Sequence, residues 1–295
     1  MSRMRIAVTG GSGNIGRIVV RHLVERGHDV INIDRCQSRD PVAKFVFLDL
    51  RNRTALQPLL ENVDAVIHLG EIPSAGVEMP PEEIFATNTA IASTVLQTAA
   101  DLKLKRFIYT STCQVYGTWG HPTVAPQSLP LDETHPLQPQ NVYSLSKTAS
   151  ESYARYVSKE SGLSVAIFRL PWVVHHDLND KLVEWFERET GPSEGIWTYV
   201  RGTDVAEAYA LAIENPRPGC EAYHLSASEI MSANPFRDRL KQHYPHFPPL
   251  PADWPALKSP LLTHKAREHF GWEPKWNFLE FYRSKFGRNP VPKPL

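Results

Sequence analysis

The chain has 295 residues, 42% of them hydrophobic and 22% charged, which suits one large α/β domain or a domain with a smaller lobe. Lysine and arginine number 32 and aspartate and glutamate 32, so the formal net charge is zero; with no long like-charge block, no nucleic-acid or membrane-surface partner is indicated. Mean hydropathy is −0.33, and the absence of any run of about 18 apolar residues argues against a membrane-spanning helix.

The first strand-like run, residues 6–9, comes almost at once, with no apolar stretch or small-residue cleavage site of a secretory signal before it. A glycine-rich turn follows. Residues 15–26 then place Ile15, Ile18, Val19 and Leu23 on one helical face, and Gly27 sits where a helix would stop. Further strands are expected at 30–33, 45–48, 65–69, 107–110 and 165–170, with long helices at 81–102 and 143–161. Strands alternating with helices imply right-handed crossovers and a parallel sheet covered on both faces. Beyond residue 170 the pattern loosens: helices are expected at 182–189, 204–213 and 235–244 and a strand at 222–225. Proline is dense at 245–260 and from 290, marking loop and extended chain, and no internal repeat is seen. Cys36, Cys113 and Cys220 are far apart, lack a CxxC spacing and cannot all pair, which implies free thiols in a reducing cytoplasm.

Residues 9–16 read Thr-Gly-Gly-Ser-Gly-Asn-Ile-Gly and lie between the first strand and the first helix. Gly10, Gly13 and Gly16 take a GxxGxxG spacing, which permits a tight turn, close backbone approach to a pyrophosphate and helix-on-sheet packing. With Asn14 and Ile15 they open a helix whose first N–H groups face an anion. Asp34 ends the second strand, where an acid accepts hydrogen bonds from adenosine ribose hydroxyls and repels a 2′-phosphate; NAD is therefore favoured over NADP, although Arg35 beside it softens the preference. Asp49 and Leu50, ending the third strand, are placed beside the adenine. A strand-end aspartate also serves simply to cap a following helix.

Tyr143 and Lys147 sit four residues apart at the start of a helix and so share a face. An ammonium one turn from a phenol, joined by a cationic nicotinamide, stabilises phenolate. The tyrosine can then take a proton from an alcohol as hydride leaves its carbon. On its own such a pair is common on helix surfaces, and only the upstream glycine loop lends it weight.

Together these residues resemble the extended short-chain dehydrogenase/reductases, specifically the NAD-dependent epimerase/dehydratase family. The resemblance runs through the glycine loop, His68-Leu69-Gly70, Asn88, residues 110–117 (Thr-Ser-Thr-Cys-Gln-Val-Tyr-Gly), Tyr143/Lys147, Arg169, residues 203–206 and residues 265–274. It implies a Rossmann-type doubly wound parallel sheet, an NAD-binding domain over 1–170 and a substrate lobe over 171–295, with about 198–226 returning to the core. It also implies Thr112 as the third catalytic hydroxyl in preference to Ser111, with Lys147 on the nicotinamide ribose and Asn88 as a structural brace. Leu69, Gly70 and Pro171 would line the cofactor, and a homodimer would form through the helices at 81–102 and 143–161.

Four departures narrow the substrate. The family's dehydratases carry Asp-Glu after the threonine, where this chain has Cys113 and Gln114, so dehydration by that route is not expected. Trp197 stands where nucleotide-sugar members place a diphosphate-gripping arginine, and Arg201 comes four residues later. Only about thirty residues separate Leu170 from Val200, a short lobe suited to a smaller sugar-type substrate. Glu71 replaces a usually small residue and belongs beside the cofactor ribose, at the substrate mouth, or on an exposed loop. Cys113, Gln114, Trp172, His175 and Arg201 join it as candidate substrate contacts. His175-His176-Asp177 lacks further ligands, so a pocket-lining loop is favoured over a metal. Tyr116, Trp119 and Trp172 offer stacking faces or, equally, core packing. The leading expectation is a sugar or sugar-acid dehydrogenase. The alternatives are a UDP-sugar 4-epimerase and, from another class, a non-catalytic NAD-binding regulator.

Overall fold

A computed structural model describes residues 3–73, 78–119, 124–175, 179–188 and 196–291. The strands, in chain order, are β1 (Arg5–Thr9), β2 (Asp29–Asp34), β3 (Lys44–Phe47), β4 (Ala65–His68), β5 (Arg106–Thr112), β6 (Ser164–Leu170), β7 (Trp172–Val174), β8 (Tyr199–Arg201) and β9 (Cys220–His224). The helices are α1 (Gly16–Glu25), α2 (Arg53–Leu60), α3 (Pro81–Asp101), α4 (Val142–Ser161), α5 (Asn179–Arg188), α6 (Gly202–Glu214), α7 (Phe236–His243), α8 (His264–Phe270) and α9 (Phe278–Phe286).

Seven strands form one parallel sheet in the order β3-β2-β1-β4-β5-β6-β9, while β7 and β8 pair separately. Side chains along each strand alternate between the faces. In β1, Ile6 and Val8 pack with α1, α6 and α8, whereas Ala7 packs with α2, α3 and α4. In β6, Phe168 faces the first layer and Val165 and Ile167 the second. Both faces are therefore apolar, as a parallel sheet inside a doubly wound fold requires. Chain order reverses between β1 and β4, which opens a crevice at the carboxyl ends of those strands, where such folds take their ligands. Two further apolar clusters lie beyond the sheet. One joins the turn after β5 to α7 and the proline-rich stretch, and the other joins α5, β8 and α9.

Several elements escape the sequence pattern. Helix α2 contains Pro58, which reads as a breaker. The helix forms because the Asn52 side chain caps it, accepting from the Ala55 N–H at 3.1 Å, and because Leu56 and Leu60 are buried. Strands β7 and β8 have three residues each, too short for a periodic signal. Helices α8 and α9, of seven and nine residues, also lie outside the expected elements. Strand β3 ends at Phe47, so Asp49 and Leu50 follow the strand instead of closing it.

Candidate active site

The loop after β1 is shaped by what a side chain would strike. Gly10 has φ +72°, and a Cβ there would lie 2.5 Å from the Gly70 Cα, so the loops after β1 and β4 touch backbone to backbone. A Cβ on Gly16 would lie 2.2 Å from the Gly10 carbonyl oxygen, which lets α1 start hard against the turn. Ile15 stands at the N-cap of α1 with no side-chain hydrogen bond; the Arg17 and Ile18 N–H groups turn back to the Gly13 and Ile15 carbonyls, both at 3.0 Å, so α1 starts directly from the glycine turn, with its positive dipole end at the loop. Asn14 is exposed on the same loop, with the Arg39 guanidinium 3.5 Å from its Oδ1.

Asp34 holds this loop in place. Its Oδ2 accepts from the Ser12 N–H at 3.0 Å, and its Oδ1 from the N–H groups of Arg35 and Cys36 at 2.6 and 3.3 Å. A carboxylate has about four acceptor sites, so room is left for a ribose hydroxyl. Asp49 is clasped by Arg51 at 2.6 Å, and that hydrogen-bonded guanidinium pulls its carboxyl down to about 2. Leu50 is buried against Gly70. Leu69 and Gly70 are half-buried at the crevice, and Pro171 is buried after β6.

Helix α4 is pinned at its start. Asn141 Oδ1 accepts from the Ser144 N–H at 2.8 Å, and Ser144 Oγ accepts from the Asn141 N–H at 3.2 Å, a reciprocal cap that sets Tyr143 in the first turn. Asn141 Nδ2 donates to Gln114 Oε1 at 3.0 Å, and the Gln114 N–H donates to Thr112 Oγ1 at 3.2 Å. Thr112 is thus tied to the start of α4 through Gln114. Ser111, on the opposite face of β5, donates to Glu151 Oε1 at 2.6 Å and is committed to a buried ion pair.

Lys147 lies one turn on, with its Nζ 5.6 Å from the centre of the Tyr143 ring. It donates to the Thr110 carbonyl at 2.7 Å and lies 2.7 Å from Glu71 Oε2. Glu71 is not an exposed loop carboxylate: its side chain is 2% exposed. A row of residues at one register level supports it, with Thr9 opposite His68 and His68 opposite Tyr109. Thr9 Oγ1 and His68 Nδ1 are 2.6 Å apart, His68 Nε2 and Glu71 Oε1 3.3 Å, and the Tyr109 hydroxyl donates to Glu71 Oε2 at 3.3 Å. Asn88 braces the next residue by accepting from the Ile72 N–H and donating to its carbonyl, and it reaches Ser146 on α4.

These contacts set the protonation states. Burial pulls the Lys147 ammonium down, but Glu71 and Tyr143 outweigh it and hold it above the usual lysine range. Burial likewise pushes the Glu71 carboxyl up, yet Lys147 and His68 keep it low. For Tyr143, burial raises the phenol, Lys147 lowers it and Glu71 raises it again, so among the protein's own groups the neutral phenol wins.

Some expected contacts fall elsewhere. Cys113 is fully buried, its Sγ 3.4 Å from the Arg169 carbonyl, and burial keeps its thiol well above the ordinary range; it presents nothing to a substrate. Tyr116 and Trp119 are also core residues: the Tyr116 hydroxyl meets Arg169 at 2.7 Å and His224 at 2.5 Å, and the Trp119 indole donates to Thr198 at 2.9 Å. Trp197 is buried against Phe236 and Tyr244, with the Arg239 guanidinium 5.2 Å over its ring. Arg201 is buried too, donating to Asn179 at 2.9 Å and lying over Trp276. Trp172 and His175 are half-buried after β6, while His176, Asp177 and Gly195 lie outside the described residues. Among the described residues no cluster of His, Cys, Asp and Glu could hold a metal, and no helix is long and apolar enough to cross a membrane. A shallow cleft lined by Arg106, Ser164, Pro216 and Arg217 opens at the amino ends of β5 and β6, away from all these groups.

Of the residues around Glu71, Tyr109 lies outside every motif read from the sequence, while Thr9 and His68 lie inside the glycine-loop and His68-Leu69-Gly70 segments with no role assigned to them there.

The NAD dependent epimerase/dehydratase family matches residues 6–226. The UDP-glucose 4-epimerase of Streptococcus mutans is 26% identical, over 94% of this chain and 94% of that protein. The L-arabinose 1-dehydrogenase (NAD(P)(+)) of Haloferax volcanii is 27% identical, over 80% of this chain and 96% of that one. Among solved structures, the UDP-glucose 4-epimerase of Bifidobacterium longum in complex with NAD+ and UDP superposes with a TM-score of 0.71 at 20% identity, covering 96% of this chain and 99% of that one. At that identity the likeness speaks for the fold.

Proposed function

The chain belongs to the NAD dependent epimerase/dehydratase family, and within it we propose an NAD-dependent 4-epimerase acting on a nucleotide sugar. NAD, when bound, supplies the hydride acceptor and donor. Gly10, Gly13, Asn14, Ile15 and Gly16 would hold its phosphates, Asp34 its adenosine ribose and Lys147 its nicotinamide ribose. The loop's fit is physical, since the Cβ contacts at Gly10 and Gly16 show a turn that only glycine can make. Tyr143 takes the proton of the sugar hydroxyl and later returns it to the ketone oxygen, the carbon having been reduced from its other face. Thr112 orients that oxygen, and Lys147 holds charge beside the phenol.

The observation that carries this reading is the Tyr143–Lys147 pair, whose ammonium and ring are 5.6 Å apart at the crevice where strand order reverses. Relatives named UDP-glucose 4-epimerase, aligned over nearly the whole chain, favour epimerisation over the free-sugar dehydrogenation expected from the sequence. Incubating the protein with UDP-galactose and NAD+ should yield UDP-glucose with no net NADH. NADH accumulating in step with product would count against it.

A second reading, a dehydrogenase of a free sugar or sugar acid, is favoured by one observation. Trp197, which the family resemblance sets where nucleotide-sugar members place a diphosphate-gripping arginine, is a buried core residue. Stoichiometric NADH from L-arabinose or a uronate, with UDP-sugars inert, would select it. A homodimer through α3 and α4 fits the exposed Leu145 and Tyr156 on α4.

A further inference from the structure

The Lys147 ammonium has three N–H donors. One goes to the Thr110 carbonyl and a second to Glu71 Oε2, each at 2.7 Å and both inside the protein. One donor is left for the phenol or for a ribose hydroxyl. Glu71 has little freedom to leave. Its Oε2 also accepts from Tyr109, its Oε1 faces His68 Nε2 at 3.3 Å, and Asn88 grips both backbone groups of the following residue. Oε1 and Nε2 are buried and make no hydrogen bond of good geometry, so the carboxylate is held by the lysine more than by the histidine. The charged and titratable groups facing this pair are Tyr143 on α4, Tyr109 on β5 and His68 on β4, with Glu151 acting on the lysine from further along α4.

We infer that Glu71 is a positioning residue for Lys147: it docks the ammonium against the Thr110 carbonyl and cancels its charge, so that Tyr143 stays a neutral phenol until a cationic nicotinamide lies beside it. The inference rests on the reading of Tyr143 and Lys147 as the acid–base pair. Two opposite charges 2.7 Å apart act on a third group as a dipole, whose influence falls off faster than that of a lone ammonium. The direction of the Tyr143 shift agrees, since the carboxylate opposes what the lysine does. The device makes deprotonation of the substrate conditional on oxidised cofactor.

The test reads the ionisation of Tyr143 directly, as the near-ultraviolet tyrosinate absorbance lost in a Tyr143→Phe background, titrated with saturating NAD+. Glu71→Gln keeps the shape and removes the charge, and it should lower the Tyr143 midpoint by roughly one to three pH units. Glu71→Asp, which retains the charge, should return the midpoint most of the way. An unchanged midpoint in folded Glu71→Gln overturns the inference. Should that variant fail to fold, the unaltered protein decides. Without nucleotide its Tyr143 midpoint should lie at or above the ordinary tyrosine value of about 10, and a lower one overturns the inference. NAD+ lowering the midpoint while Glu71→Gln does nothing would sink the Glu71 role alone. NAD+ leaving the unaltered protein's midpoint in place would sink the acid–base reading, and the Glu71 role with it.

Discussion

At the scale of single residues, the proposed chemistry needs Tyr143 to give and take one proton. Tyr143→Phe removes that hydroxyl while keeping the ring, and it should lower kcat by about a hundred- to ten-thousand-fold with the melting temperature little changed. Steady-state kinetics beside a thermal melt check this. Gly16→Ala should abolish tight NAD+ binding, as read by calorimetry, because the added methyl would lie 2.2 Å from the Gly10 oxygen and force the loop open. Such residues were legible in the sequence because their spacing lies within one element or one turn. Four positions along a helix, or three along a glycine loop, carry their own geometry. The partners of Glu71 were not legible. Thr9, His68 and Tyr109 meet only through the register of three strands widely separated in the chain, and one residue of slip would turn each side chain to the other face.

At the scale of elements, a buried ion pair ties α4 to the sheet. Arg169 on β6 donates to both oxygens of Glu151 on α4, at 3.0 and 2.7 Å, and also reaches the Tyr116 hydroxyl and the Glu133 carbonyl. Its guanidinium is 2% exposed and the carboxylate 0%. Removing one partner strands the other charge in the interior, so Glu151→Gln should destabilise the fold by about 3–5 kcal/mol, measured by denaturant unfolding. A change well under 1 kcal/mol would show that the pair is not what anchors α4. The elements that sequence patterning located were long or strongly apolar, such as α3, α4 and β6. Those it missed were short or masked: β7 is cut off from β6 by Pro171, β8 has three residues, and α2 carries Pro58.

At the scale of the molecule, acid sensitivity should have an identifiable source in His224. Its Nδ1 lies 3.1 Å from the Leu262 carbonyl and its Nε2 2.5 Å from the Tyr116 hydroxyl, which suits a neutral ring that donates from Nδ1 and accepts at Nε2. Burial foremost, then Arg169, pushes its pKa down to about 3. Because the folded value lies below the unfolded one, this contribution to stability is present above about pH 6.5 and is lost as pH falls towards 3. The loss is about 1.4 kcal/mol per pH unit. Unfolding free energies should approach that slope between about pH 5.5 and 4, and His224→Gln should flatten it. The parallel sheet covered on both faces could be read from the alternation of strands and helices. The burial of Trp197 and Arg201 could not, because it depends on distant partners, α7 for Trp197 and Asn179 with Trp276 for Arg201.

The most direct test of the central claim is rapid mixing of the NAD+-loaded protein with UDP-glucose, following nicotinamide absorbance through a single turnover. The bound cofactor should be transiently reduced and then return as UDP-galactose forms, with both phases slowed at least about a hundredfold in Tyr143→Phe even though that variant still binds both NAD+ and UDP-glucose. Reduction at the same rate in Tyr143→Phe would contradict the claim.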